Sequence, residues 1–337
     1  MCRRAIVPCG SMRGPMPEAP LPALAVVLAT DCYETIRPVV QHLSRQTIRD
    51  QIEIVIVHTD SRSPSLDPVE LAGFARVTTV KVDSLSPVGP ARAAGVRAAR
   101  APFVFIGETH TYAHPTWAES MVRAHAQSGA GVVPGFGNAN PKSALSWAIF
   151  LLDYGQWLHL MPARESRVAP THNGAFKRQV LLDLGEALDH SLIQGDTLTV
   201  LLKAADHRMH FEPAARIDHL NVARWRPWVQ ERFLGGLLLA GRRAQRWPAL
   251  RRMVYFCGSP LIPALLILRL RKALGAAWRE GQLPAGTLPA ILVGGVISTI
   301  GEMVGYIRGP SAAAESTMME FELHKVRYAA RRARIAS

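Results

Sequence analysis

Residues 23–59 read ALAVVLATDCYETIRPVVQHLSRQTIRDQIEIVIVHT. Two apolar runs, Ala23–Thr30 and Ile52–Val57, flank a stretch of helical periodicity from about Glu34 to Arg45. Unbroken Val/Ile/Leu runs imply strands covered on both faces, and strand alternating with helix implies parallel pairing. The pattern continues outward with a helix near Pro68–Ala75, a strand at Val77–Val82, a helix near Pro90–Arg100 and a strand at Phe103–Ile106. The expected class is α/β, a Rossmann-like, mostly parallel sheet flanked by helices. No G-x-G-x-x-G follows the first strand and no G-x-x-x-x-G-K-[ST] occurs, which disfavours dinucleotide-dependent dehydrogenases and P-loop NTPases.

The fourth strand runs directly into a polar edge, FVFIGETHTYAHPTW over Phe103–Trp117. Ligands of open α/β sheets bind beyond the carboxyl ends of the strands, so Glu108 and His110 are candidate metal or phosphate ligands, with a solvated loop as the alternative. His114 reads as a loop residue and Trp117 as packing at the start of the next helix.

The chain has 337 residues, 48% of them hydrophobic, with a formal charge of +13 and a pI near 10.2. This is ample for a core and points to an anionic partner. Four scattered cysteines fit neither a metal site nor a disulfide framework. Residues 1–22 carry no apolar h-region and read as a disordered lead-in, with Met12 or Met16 as possible alternative starts.

Together, the runs just quoted, PARAAGVRAARAPFVFIGETH (90–110), THNGAFKRQVLLDLG (171–185) and QGDTLTVLLKAADHRMHFEPAARIDHLN (194–221) resemble family 2 glycosyltransferases of the GT-A fold. The resemblance implies a catalytic domain over 23–222 that uses a nucleotide-diphosphate sugar and a divalent cation and inverts the anomeric carbon. It places Arg92 near the donor, with Gly95 at a close-packing position. Glu108 and His110 stand where the family has Asp-x-Asp, and Thr109 replaces the middle acid found in some branches. Carboxylate plus imidazole suits Mn²⁺ better than Mg²⁺. His219 matches a late histidine near the metal or phosphates. Thr30, Asp31 and Asp60 fall near the base and ribose, where Asp31 and Asp60 serve equally well as turn residues. Asn173 and Gly174 fall at a turn, and Lys177 faces either phosphate or water. Asp196 takes the place of the general base, or of an N-cap for a helix at Thr197–Ala205. The aromatics Trp147, Phe150, Tyr154 and Trp157 read as a buried helix face.

Beyond the domain, residues 223–310 read as helical and membrane-associated, and 311–337 as a basic tail. The segments 253–268 and 283–301 lack charged side chains, and Arg269, Arg271, Lys272 and Arg279 lie between them. A basic connector on the far side of a bilayer runs against the positive-inside tendency. Interfacial or re-entrant helices on an anionic membrane surface, on the cytoplasmic side, are therefore expected, with a spanning hairpin as the alternative. The tail FELHKVRYAARRARIAS carries five basic side chains against one acid, but no nucleic-acid motif accompanies it. The expected partners are a nucleotide-sugar donor, a glycan or lipid acceptor and the membrane, with no nucleic acid. The departures at His58, Thr109 and Gly195 leave a degenerate, non-catalytic nucleotide- or membrane-binding protein as the alternative.

Overall fold

A computed structural model describes residues 21–59, 66–140, 142–193 and 195–329. The strands are β1 (Leu24–Thr30), β2 (Ile52–Thr59), β3 (Arg76–Val82), β4 (Phe103–Ile106), β5 (Thr111–Ala113), β6 (Gly131–Asn138), β7 (Arg164–Ser166), β8 (Gly174–Lys177) and β9 (Met209–His219). They form one sheet in the order β3-β2-β1-β4-β8-β6-β9-β5, with β7 also on β9. β3, β2, β1 and β4 are parallel, as the apolar runs require. β8 then enters antiparallel to β4, and β6 pairs antiparallel with β8 but parallel with β9. The sheet is thus mixed. Its strand order reverses at β1, between β2 and β4, which opens a crevice beyond the carboxyl ends of β1 and β4.

Two devices set this edge. The helix Val88–Ala98 lies tightly on the sheet because Gly95 has no side chain, and a methyl there would overlap Val27 and Val57. The buried Glu53 carboxylate on β2 accepts from the backbone N–H of Arg100 (2.7 Å) and Ala101 (3.0 Å), pinning the turn that feeds β4. β4 is buried throughout, and Phe105 meets Trp117 edge-on at 4.8 Å. Trp147, Phe150, Tyr154 and Trp157 are all buried.

After β9 the chain is helical. The helix Trp225–Arg243 packs along Thr287–Arg308, with backbones brought close where Gly236 faces Ser298 and Gly301 faces Phe233. The stretches Ala249–Arg279 (31 residues) and Thr287–Arg308 (22 residues) are each long and apolar enough to cross a membrane. In the first, a 3₁₀ turn, Ser259–Leu261, that contains Pro260 joins two helices, Pro263 stands in the first turn of the second, and Leu261, Leu265 and Leu268 are exposed. The region read from sequence as a tail is helical over Ala312–Leu323 and Lys325–Tyr328.

Candidate active site

The crevice is built around Glu108, just past β4. Its Oε2 lies 3.3 Å from His219 Nε2, at the end of β9, and 3.5 Å from His110 Nε2. The two Nε2 atoms are 3.1 Å apart, and all three residues are buried. Glu108 Oε1 lies 3.5 Å from His172 Nε2. Asn173 Nδ2 donates to Glu108 Oε2, and Tyr154 donates its hydroxyl to the same oxygen at 3.4 Å.

Counting protons shows what this cluster can hold. The Asn221 amide nitrogen donates to Asn138 Oδ1 (3.1 Å) and to its neighbour's carbonyl, His219 O (3.1 Å), so Asn221 Oδ1 is the acceptor for His219 Nδ1–H at 2.9 Å. Thr109 Oγ1 donates towards the carbonyls of Glu322 (3.0 Å) and Leu323 (3.1 Å), so at 3.2 Å it accepts from His110 Nδ1–H. In each ring the proton sits on Nδ1, and both Nε2 lone pairs face each other and a carboxylate. Three acceptors converge with no proton among them, a donor set that fits a divalent cation.

Burial raises the Glu108 carboxyl, but positive charge on the facing imidazoles, His172 first, and a hydrogen bond from His219 outweigh it and hold the group well below the usual carboxylate range; in the proton-free cluster that charge is missing and a cation would supply it. On His110 burial wins over the pull of Glu108, holding the imidazole well below its ordinary value and neutral. Thr109, a departure from the sequence pattern, is here the residue that sets the His110 tautomer.

A cavity of about 460 Å³ opens onto Glu108, His172 and His219 and runs to Leu239, Leu266 and Leu270 on the C-terminal helices. A second, of about 280 Å³, reaches Arg92 and shares His172, Gly195 and Glu322 with the first. Arg92 is buried and donates to Leu192 O at 3.2 Å.

The remaining sequence-predicted residues are dispersed. Thr30 Oγ1 is buried and engaged with Cys32 O (2.6 Å) and Thr35 Oγ1 (2.5 Å). Asp31 Oδ2 meets His324 Nε2 at 3.0 Å. Asp60 lies outside the described residues. Lys177 is displaced from the crevice: β8 runs antiparallel to β4, so Lys177 pairs with Phe103 while Gly174 pairs with Ile106. That puts Lys177 at the opposite end of the strand, roughly 10 Å along it at about 3.4 Å per residue. Asp196 lies inside the helix Gly195–Ala204 rather than capping it, and Arg243 Nη2 holds its carboxylate at 2.6 Å. Gly195, not Asp196, lines both cavities.

Sequence reading missed His172, Asn173 and Tyr154 as partners of Glu108, and Asn221 as partner of His219. The available signal was His-Asn directly ahead of the Gly-Ala-Phe run that forms β8. Asn173 takes φ 54°, a left-handed conformation that Asn tolerates, and its N–H donates to Ile106 O at 2.6 Å, which turns the amide onto Glu108.

The fold therefore sets a carboxylate–imidazole cluster at the switch point of a Rossmann-like mixed sheet. Residues 25–185, the part of the sheet that carries Glu108 and His110, match the sequence model for "Glycosyl transferase family 2". No match is found among curated proteins. Among solved structures, the mannosyltransferase PcManGT from Pyrobaculum calidifontis, in complex with GDP-Man and Mn2+, is similar at 16% identity over 90% of this chain and 88% of that one, with a TM-score of 0.44.

Proposed function

We propose that the protein transfers a sugar from a nucleotide-diphosphate sugar to an acceptor hydroxyl, with inversion, at the cytoplasmic face of a membrane. The observation that carries this is the proton-free convergence of Glu108, His110 and His219 at the switch point of a sheet whose residues 25–185 match the family 2 model. The bound cation, Mn²⁺ in preference to Mg²⁺, would neutralise charge developing on the departing diphosphate. Glu108, His110 and His219 would hold it, with His172 beside the carboxylate and Asn173 and Tyr154 orienting it. Arg92, buried beside the second cavity, offers a guanidinium to phosphate. Thr30 ends β1, Asp31 comes next, and Asp60 follows Thr59 in sequence, where base and ribose would lie. Asp196 is the proposed base, next to the cavity-lining Gly195, and its pair with Arg243 must open for it to reach an acceptor.

Membrane attachment through Ala249–Arg279 and Thr287–Arg308, both long and apolar enough to cross a membrane, would put the acceptor, a glycan or lipid, at the bilayer. The arginines between them favour an anionic, cytoplasmic leaflet. The test is nucleoside diphosphate release from a panel of UDP-, GDP- and dTDP-sugars on vesicles. The proposal predicts release from one nucleotide class that needs a divalent cation and disappears in Glu108→Ala. Release independent of both would overturn it.

A further inference from the structure

We propose that Glu322, 214 positions beyond Glu108 and carried on the helix Ala312–Leu323, is a further ligand of the cation site, so that the C-terminal segment completes it; this rests on reading Glu108, His110 and His219 as that site. The segment is fastened to the crevice at three places. Thr109 Oγ1 donates to the carbonyls of Glu322 and Leu323 at 3.0 and 3.1 Å. His324 Nε2 meets Asp31 Oδ2 at 3.0 Å. The buried Lys325 Nζ lies 3.0 Å from Glu322 Oε1 and 3.4 Å from Glu231 Oε1.

These contacts aim one carboxylate oxygen at the cluster. Lys325 takes Glu322 Oε1, and Oε2 stands 3.9 Å from His110 Nε2. With metal–ligand bonds of about 2.1 Å, two ligands of one ion lie roughly 3 Å apart in adjacent positions and about 4.2 Å apart in opposite ones. The observed spacing falls between these. The Glu322 side chain is 34% exposed and lines both cavities, so it has room to turn onto an ion arriving through them. Glu322 would add a second carboxylate to one carboxylate and two imidazoles, a mixed N/O set suited to a divalent cation such as Mn²⁺.

The test is titration of detergent-solubilised full-length protein with Mn²⁺ alone, followed by the electron paramagnetic resonance of the free ion. Glu322→Gln should weaken binding at least about tenfold, at the low end of what second-sphere losses already cost metal sites. Lys325→Met breaks the same ion pair but keeps the carboxylate and removes a positive charge, so it should bind Mn²⁺ at least as tightly as the natural chain. Were Glu322→Gln too unstable to titrate, Glu322→Gln with Lys325→Met, which strands no buried ammonium, takes its place with the same expected loss. Unchanged affinity in Glu322→Gln beside a loss in Glu108→Ala would overturn the role of Glu322 and leave the cation site standing. Equal weakening in Glu322→Gln and Lys325→Met would reduce Glu322 to structural support, and no Mn²⁺ binding by the natural chain would overturn both readings.

Discussion

Replacing Thr109 with valine should damage cation binding although Thr109 is not a ligand. The change keeps the shape and removes the hydroxyl that accepts from His110 Nδ1–H at 3.2 Å. A buried N–H left without an acceptor costs about 1–3 kcal/mol, and the ring escapes this by moving its proton to Nε2. There it faces His219 Nε2 at 3.1 Å and Glu108 Oε2 at 3.5 Å and bonds to the atoms that should hold the ion. Cation binding must then reverse the tautomer. Loss of such second-sphere partners weakens metal affinity by about 10–100-fold, or roughly 1.4–2.7 kcal/mol. Calorimetric titration with Mn²⁺ reads this directly, and Thr109→Ser, which keeps the hydroxyl, should bind within a few-fold of the natural chain. Natural affinity in Thr109→Val would refute the proton count on which the cation assignment stands.

Two further outcomes follow from the same geometry. Burial holds His110 below its ordinary 6.5, so near pH 6 the metal-free fold binds fewer protons than the unfolded chain; the contribution is complete above about pH 6.5 and is lost as the pH falls through the lowered folded value. Thermal unfolding in a chelator should therefore show stability declining below about pH 6.5, and less steeply in His110→Gln. Leu265→Glu with Leu268→Glu puts two charges on the exposed apolar face of Ile262–Arg279 and should reduce co-flotation with anionic vesicles, whereas undiminished flotation would place the membrane contact elsewhere.

What the sequence disclosed and what it hid divide by the range of the interactions. β1 to β4 were legible because unbroken Val/Ile/Leu runs separated by helical periodicity leave few alternatives to a parallel sheet, and Glu108 and His110 were visible because they end a buried strand. Lys177 was misplaced because residues 171–185 do not announce that β8 runs antiparallel to β4, and that register decides which end of the segment meets the crevice. It brings Asn173 to Glu108 and sends Lys177 away. Asp196 was read through the family resemblance as the general base, or as an N-cap, but its partner Arg243 lies 47 residues on, where no local pattern points to it. The C-terminal stretch was read from its charge as a basic tail beside membrane-associated segments. In the fold Glu322, His324 and Lys325 turn inward on Thr109, Asp31 and Glu231, contacts spanning up to 293 positions that composition does not encode.

The most direct measurement is calorimetric titration of the detergent-solubilised chain with UDP, GDP and dTDP, each with and without Mn²⁺, beside Glu108→Ala. Micromolar binding of one nucleotide that requires Mn²⁺ and vanishes in Glu108→Ala is the predicted result. Binding of any nucleotide that is indifferent to Mn²⁺ and to Glu108 would contradict the cation-centred site.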